Sequence, residues 1–293
     1  MSKSGYNDRC LINPYGNGSG IMRNKPLELT LYAVCAGAFG VFLRWMEDQL
    51  AFDEAGLADP SAFHVIVPVF LIVCALVFRN ALKQIDRKHY CVPAELEKAL
   101  KSGVQLQTVL SYVTGGLMIL GALLLFAKSE IDKYVGMLRL LSALALLSGV
   151  SFPLVLREAN RVGPRRGLLC PLMLLPLLTY AVWLILSYRN NSINSVPLAY
   201  AMDMLTAIVS MVASFYMAGF AFGDPKPRQT VVWVMFCASV CIMSLADKRY
   251  LGMQMMLLAT GGQMLLYTWI LLRNLQEKER RVVIQKDDGF EHL

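Results

Sequence analysis

Eight stretches of this chain run for about twenty residues each with almost no charge, and that feature decides what the chain can fold into. The hydrocarbon core of a bilayer is about 30 Å thick, and an α-helix needs ~20 mainly apolar residues to cross it. Runs of that length facing lipid cannot be coil or open strands, because each unpaired peptide group would cost several kcal/mol. They lie near residues 28–45, 63–80, 106–127, 134–156, 167–187, 197–222, 229–246 and 251–272. Composition agrees with this reading, at 56% hydrophobic and 17% charged, where soluble domains hold roughly 45–50% and 25%. The pattern predicts an all-α integral membrane protein, a bundle of about eight transmembrane helices.

Three regions follow. Residues 1–26 read as a disordered cytoplasmic tail, 27–274 as the transmembrane helical bundle and 275–293 as a second cytoplasmic tail. The first tail is polar and rich in Gly and Asn, so it is not expected to act as a cleavable signal peptide, which needs an early apolar core. Placing the N-terminus inside puts all but seven of the 28 lysines and arginines on the inner side. The exceptions are Arg44, Lys128, Lys133, Arg139, Arg189, Lys248 and Arg249. Since Lys and Arg are retained in cytoplasmic loops, both termini are expected in the cytoplasm, with the chain in the cell membrane.

The densest inner segments, Arg157–Arg166 and Arg273–Arg281, are candidates for anionic lipid headgroups at ~1 kcal/mol per well-placed charge. They lack the aromatic interleaving or folded basic module of a nucleic-acid partner. The inner connection from Leu82 reads as a short amphipathic helix. Pro93 opens it, Glu95 and Glu97 occupy its first turn, and Lys98 and Lys101 follow, a polarity that suits the helix dipole.

On the outer side, Leu43–Gly56 (LRWMEDQLAFDEAG) carries Glu47, Asp48, Asp53 and Glu54 just beyond the first run. One reading is a solvated helix end with local ion pairs, Arg44 and Asp48 being four apart on one helix face. The other is a ligand- or cation-binding loop. Asp203 is the most informative single residue, about six residues or roughly 9 Å into the sixth run. An ionisable group at such depth is expensive and marks a functional candidate. Arg139, in the same leaflet on the fourth run, is a candidate partner for it. The pair would be structural or line an outer vestibule, or else form a solute or proton site. Gln263 follows a glycine pair near mid-membrane, where its amide needs an interhelical partner or a ligand. Thr260-Gly261-Gly262 echoes Thr114-Gly115-Gly116, and both glycine pairs are expected to allow close helix approach.

Metal and cofactor chemistry finds little support. Cys237 and Cys241 lie one turn apart near a methionine-rich outer end (Met202, Met204, Met253, Met255, Met256), a set soft enough for Cu(I). Methionine more commonly fills irregular apolar gaps, and no histidine joins the group: His64 is outer, His89 and His292 inner. The glycine-rich Tyr15–Gly20 lacks the Lys-Ser/Thr and preceding strand of a phosphate loop. No metal, cofactor or catalytic residue is therefore expected. The favoured function is a non-enzymatic membrane component with an accessory, sensing or scaffold role. The alternative is a small-solute permease with a polar site around Asp203, and a membrane-embedded enzyme is less favoured. Partner protein and solute are not legible.

Three stretches carry a resemblance: Leu43–Gly56, Ala221–Val232 (AFGDPKPRQTVV) and Leu245–Leu275 (LADKRYLGMQMMLLATGGQMLLYTWILLRNL). They resemble a family of multi-spanning membrane proteins from anaerobic, mostly gut-dwelling Gram-positive bacteria, a family with no assigned reaction. The resemblance implies a bacterial cytoplasmic membrane and no site residues.

Overall fold

The computed structural model describes residues 25–50, 63–87, 90–129, 135–161, 163–191, 197–247 and 249–277. They form helices α1 (Lys25–Leu50), α2 (Phe63–Arg87), the single turn α3 (Leu96–Ala99), α4 (Gln105–Lys128) and α5 (Val135–Ala159). Helices α6 (Arg166–Asn191), α7 (Pro197–Phe222), α8 (Pro227–Met243) and α9 (Leu251–Arg273) complete the set. All but α3 contain a stretch long and apolar enough to cross a bilayer, eight in total. The chain is an all-α polytopic membrane protein, and its eight helices coincide with the eight expected runs. Asp53, Glu54, His89, His292 and the greater part of both expected tails lie outside the described residues.

Local chemistry sets the helix ends. Gly223 adopts φ +83°, a left-handed conformation that ends α7, and the Asp224 amide turns back to the Gly219 carbonyl at 3.1 Å. That is the glycine-terminated cap expected where the chain must reverse. Pro227 then opens α8 at a position where its missing N–H costs nothing. Between α8 and α9, one turn of 3₁₀ helix (Ser244–Ala246) and four residues suffice for the reversal.

Packing runs around a closed ring: α4 on α5, α5 on α6, α6 on α7, α7 on α8, α8 on α9, and α9 back on α4. Helix α1 docks outside this ring on α8 and α9, and α2 lies further out against α1 and α8. Burial follows the same order, since the membrane window of α9 is 72% buried and that of α2 only 28%. The outer faces present Phe39, Phe42 and Trp45 on α1 and Ile72, Val73 and Val77 on α2, all exposed. Apolar surface on that scale is tolerated where the solvent is lipid.

Among the described residues, large side chains pack the ring interior. Trp183, Tyr180, Phe152, Met118, Leu141 and Met256 are all less than 2% exposed. Between α5, α6, α7 and α9 a cavity of about 20 Å³ remains, bordered by Ser151, Pro176, Ser214, Met264 and Tyr267 among others. That is room for about one water molecule.

The connection after α2 departs from expectation. Instead of an amphipathic helix through Lys101, only α3 forms, preceded by a short strand β1 (Tyr90–Cys91) paired antiparallel with β2 (Gln276–Glu277). The reason lies in Asn274, whose Nδ2 donates to the carbonyls of Ala99 and Lys101 at 2.9 Å each. Those carbonyls are thereby held away from a further helical turn. Leu96, Ala99 and Leu100 are buried instead, and Glu95 pairs with Lys98 at 2.6 Å. The start of the expected second tail, at Gln276–Glu277, is thus part of the fold.

Candidate functional site

One end of the bundle gathers the C-terminal ends of α1 and α6, the N-terminal end of α7 and the α8–α9 turn. There the structure assembles a buried ionic cluster. Arg44 on α1 donates from Nη1 to Glu47 Oε2 at 2.5 Å and from Nε to Asp247 Oδ1 at 2.7 Å. Arg249 donates from Nη2 to the other oxygen of Asp247 at 2.8 Å. Its Nε lies 3.3 Å from Asp203 Oδ1, without the alignment of a hydrogen bond. Ser187 on α6 donates to Asp203 Oδ2. Asp247 also accepts from Ser244, which in turn accepts from Thr206. Arg44 and Glu47 are only 7% and 2% exposed, so this is an interior network and not a surface one.

The expected arrangements need correction. Leu43–Leu50 does continue helically, but Arg44 pairs with Glu47, three residues on, and with Asp247 across the bundle. Asp48 is exposed on another face. The helix end is therefore not simply solvated. Arg139 does not reach Asp203: its Nε lies 3.4 Å from Ser129 Oγ and its guanidinium over the Phe126 ring. Arg249 takes the position expected of Arg139, because the short α8–α9 turn delivers it beside α7. Asp247 and Arg249 were legible as charges too close to two helix ends to escape the bundle. Ser187 and Trp183 gave no such signal.

Asp203 has a further neighbour. The indole N–H of fully buried Trp183 faces its carboxylate. Trp183 Nε1, Asp203 Oδ1 and Arg249 Nη1 are all buried without a hydrogen-bond partner. Such atoms cost about 1–3 kcal/mol each, and all three belong to side chains of one buried cluster, which makes it the candidate site.

A second polar set occupies the membrane interior. Thr114 on α4 donates to Gln263 Oε1 on α9 at 2.6 Å, so the two glycine-pair segments face each other. Tyr180 on α6 and Thr260 on α9 share a hydrogen bond of 2.8 Å. Gln263 is thus interhelical glue on its oxygen, while its Nε2 is buried and unpartnered. Cys237 and Cys241 share a face as expected, their sulfurs 3.9 Å apart beside Ser210. Thr114→Val is expected to lower stability by less than ~1 kcal/mol, the usual scale of a membrane interhelical hydrogen bond. Thermal unfolding in detergent reads this, and a larger loss would indicate a wider network.

What the cluster can do follows from its atoms. It offers one carboxylate oxygen as acceptor and two N–H groups as donors, at one end of the bundle. Compared with known proteins, the chain matches no protein family, no curated sequence and no solved structure.

Proposed function

We propose that this polytopic protein is a non-enzymatic component of a bacterial cell membrane, with an accessory, sensing or scaffold role. The observation that carries this reading is the packing of the ring among the described residues: aromatic and methionine side chains occupy its centre, and the cavity described there has room for about one water. A permease for ordinary solutes needs a polar cavity of solute size, and Asp203 and Gln263 do not line the one described. Both termini are cytoplasmic in this proposal, supported by the concentration of Lys and Arg in alternate connections. The basic connections Arg157–Arg166 and Arg273–Arg281 then meet anionic headgroups. The bacterial setting rests on the resemblance of the three stretches above.

A second reading, a transporter with its polar site around Asp203, is favoured by the unpartnered atoms of Trp183, Asp203 and Arg249. One experiment separates the two: a thermal-shift screen of small solutes on the purified protein, since a selective ligand raises apparent stability. No stabilising solute is expected. A solute whose shift is lost in Asp203→Asn moves the assignment to the second reading. A C-terminal alkaline phosphatase fusion is expected to be inactive, and activity there would reverse the orientation.

A further inference from the structure

We infer that residues 92–104, the strap joining α2 to α4, are a two-state latch closed by Asn274. In the closed state α3 stops after one turn. When Asn274 lets go, α3 grows by a further turn into the helix that the strap's own sequence encodes. The inference is independent of which reading above holds.

The first observation is a conflict between local sequence and local structure. The run Ala94–Lys101 (AELEKALK) consists entirely of strong helix formers. Pro93 precedes it and Gly103 stands just past its end, the usual punctuation of a helix start and stop. Yet only Leu96–Ala99 is helical. Natural sequences agree with their structures locally, and the exceptions gather at functional or strained places.

The second observation is what overrides the local preference. Asn274, at the C-terminal end of α9, donates to the carbonyls of Ala99 and Lys101 at 2.9 Å each. In a continuing helix those oxygens accept from the amides four residues on, Gly103 and Gln105. The Gly103 amide instead donates to Gln107 Oε1 at 3.1 Å, and the Ser102 amide to Asn160 Oδ1 at 2.7 Å. This seat is imperfect. Among the described residues the Lys101 amide donates to no protein group, and Gln107 Nε2 is buried without a partner.

Growth of α3 keeps what is buried. Leu96, Ala99 and Leu100 are all buried and stand at helical spacing, so one face stays inward as the turn is added. Side-chain bonds are exchanged for backbone bonds from Lys101 to Glu97, Ser102 to Lys98 and Gly103 to Ala99. Such an exchange of like for like leaves the two states close in free energy, as a switch requires. The consequence is mechanical. A helical residue advances about 1.5 Å and an extended one about 3.3–3.6 Å, so each residue converted shortens the strap by up to about 2 Å. The strap is tied to α2, whose membrane window is the least buried at 28%. The α1–α2 pair outside the ring is therefore the part that this pull displaces.

The test is amide hydrogen exchange of the full-length protein in detergent, read residue by residue by mass spectrometry with electron-transfer fragmentation. The Lys101 amide is diagnostic, being free in the closed latch and bonded to Glu97 in the grown helix. Asn274→Ala is expected to slow its exchange at least tenfold. Asn274→Asp keeps the side chain's size and removes both donors, and it carries the same expectation if Asn274→Ala fails to fold by elution profile and melting temperature. Adding Lys101→Gly is expected to reverse the slowing about fivefold after correction for intrinsic rates, since glycine disfavours the helix but not the strap. Ser239→Ala, whose hydroxyl bonds α1 and the α8 backbone far from the strap, is expected to change nothing. An unchanged Lys101 rate in the folded Asn274 variants overturns the latch. Faster exchange across residues 94–104 also overturns it, because the strap would then be released into disorder. A slowing that Lys101→Gly fails to reverse overturns the helix as its cause.

Discussion

Asp247→Ala is expected to be the most destabilising single substitution in the ionic cluster. Asp247 is bonded by both guanidiniums, Arg44 at 2.7 Å and Arg249 at 2.8 Å. Arg44 has 8% of its side chain exposed and Arg249 10%, so neither can turn to water when the carboxylate goes. Removing one partner of a buried ion pair costs about 3–5 kcal/mol, most of it the penalty on the charge left behind. Loss of the exposed Glu95–Lys98 pair, by contrast, costs at most about 1 kcal/mol, because water replaces it. Thermal unfolding in detergent should therefore separate Asp247→Ala from Glu95→Ala by several kcal/mol. Asp247→Asn should fall between them, keeping an acceptor while losing the charge. Equal effects of Asp247→Ala and Glu95→Ala would mean that the cluster is hydrated and that its burial counts for nothing.

The same cluster explains what sequence could and could not convey. Each long apolar run became a helix because a bilayer leaves the backbone no other way to satisfy its hydrogen bonds. That constraint is local, so it is visible in local composition. The partner of Asp203 is a different kind of fact. Arg139 and Arg249 stand at similar depth, and only the ring order, with α7 between α6 and α8, decides which of them arrives. Ring order is a property of side-chain packing among helices that all look alike in hydropathy. Arg44 misled for a related reason: its helical neighbours at three and four residues, Glu47 and Asp48, are equivalent in an isolated helix. Docking of α1 on α8 turns the face with Glu47 inward and leaves Asp48 exposed. The amphipathic reading before α4 failed because one distant side chain, Asn274, captures the carbonyls that a further turn would have used.

Glycine placement gives the second large expectation, and here the two glycines of one pair are predicted to behave oppositely. A Cβ on Gly115 would stand 2.5 Å from the carbonyl oxygen of Gly149, and a Cβ on Gly149 would stand 2.8 Å from that of Gly115. Both obstacles are backbone atoms, which cannot rotate aside. The Gly149 carbonyl is also one that Pro153, four residues on, cannot bond, having no N–H. Close approach of the Gly115 backbone therefore brings a Cα–H face to an oxygen that its own helix leaves open. Gly121 and Gly252 repeat the reciprocal contact between α4 and α9, at 2.8 and 2.9 Å. Gly116, next in sequence to Gly115, meets nothing within 4 Å. Gly115→Ala and Gly121→Ala are expected to cost about 1–3 kcal/mol each, the scale of overpacking a close-packed interior. Because they act on different neighbours of α4, their double mutant should lose close to the sum. Gly116→Ala should be neutral or stabilising by a few tenths of a kcal/mol, since alanine is the better helix former. Melting temperatures of the four variants and the parent protein in one detergent measure all of this. Equal losses at Gly115 and Gly116 would mean that α4 is rotated from the face described, and the Thr114–Gln263 contact would turn with it.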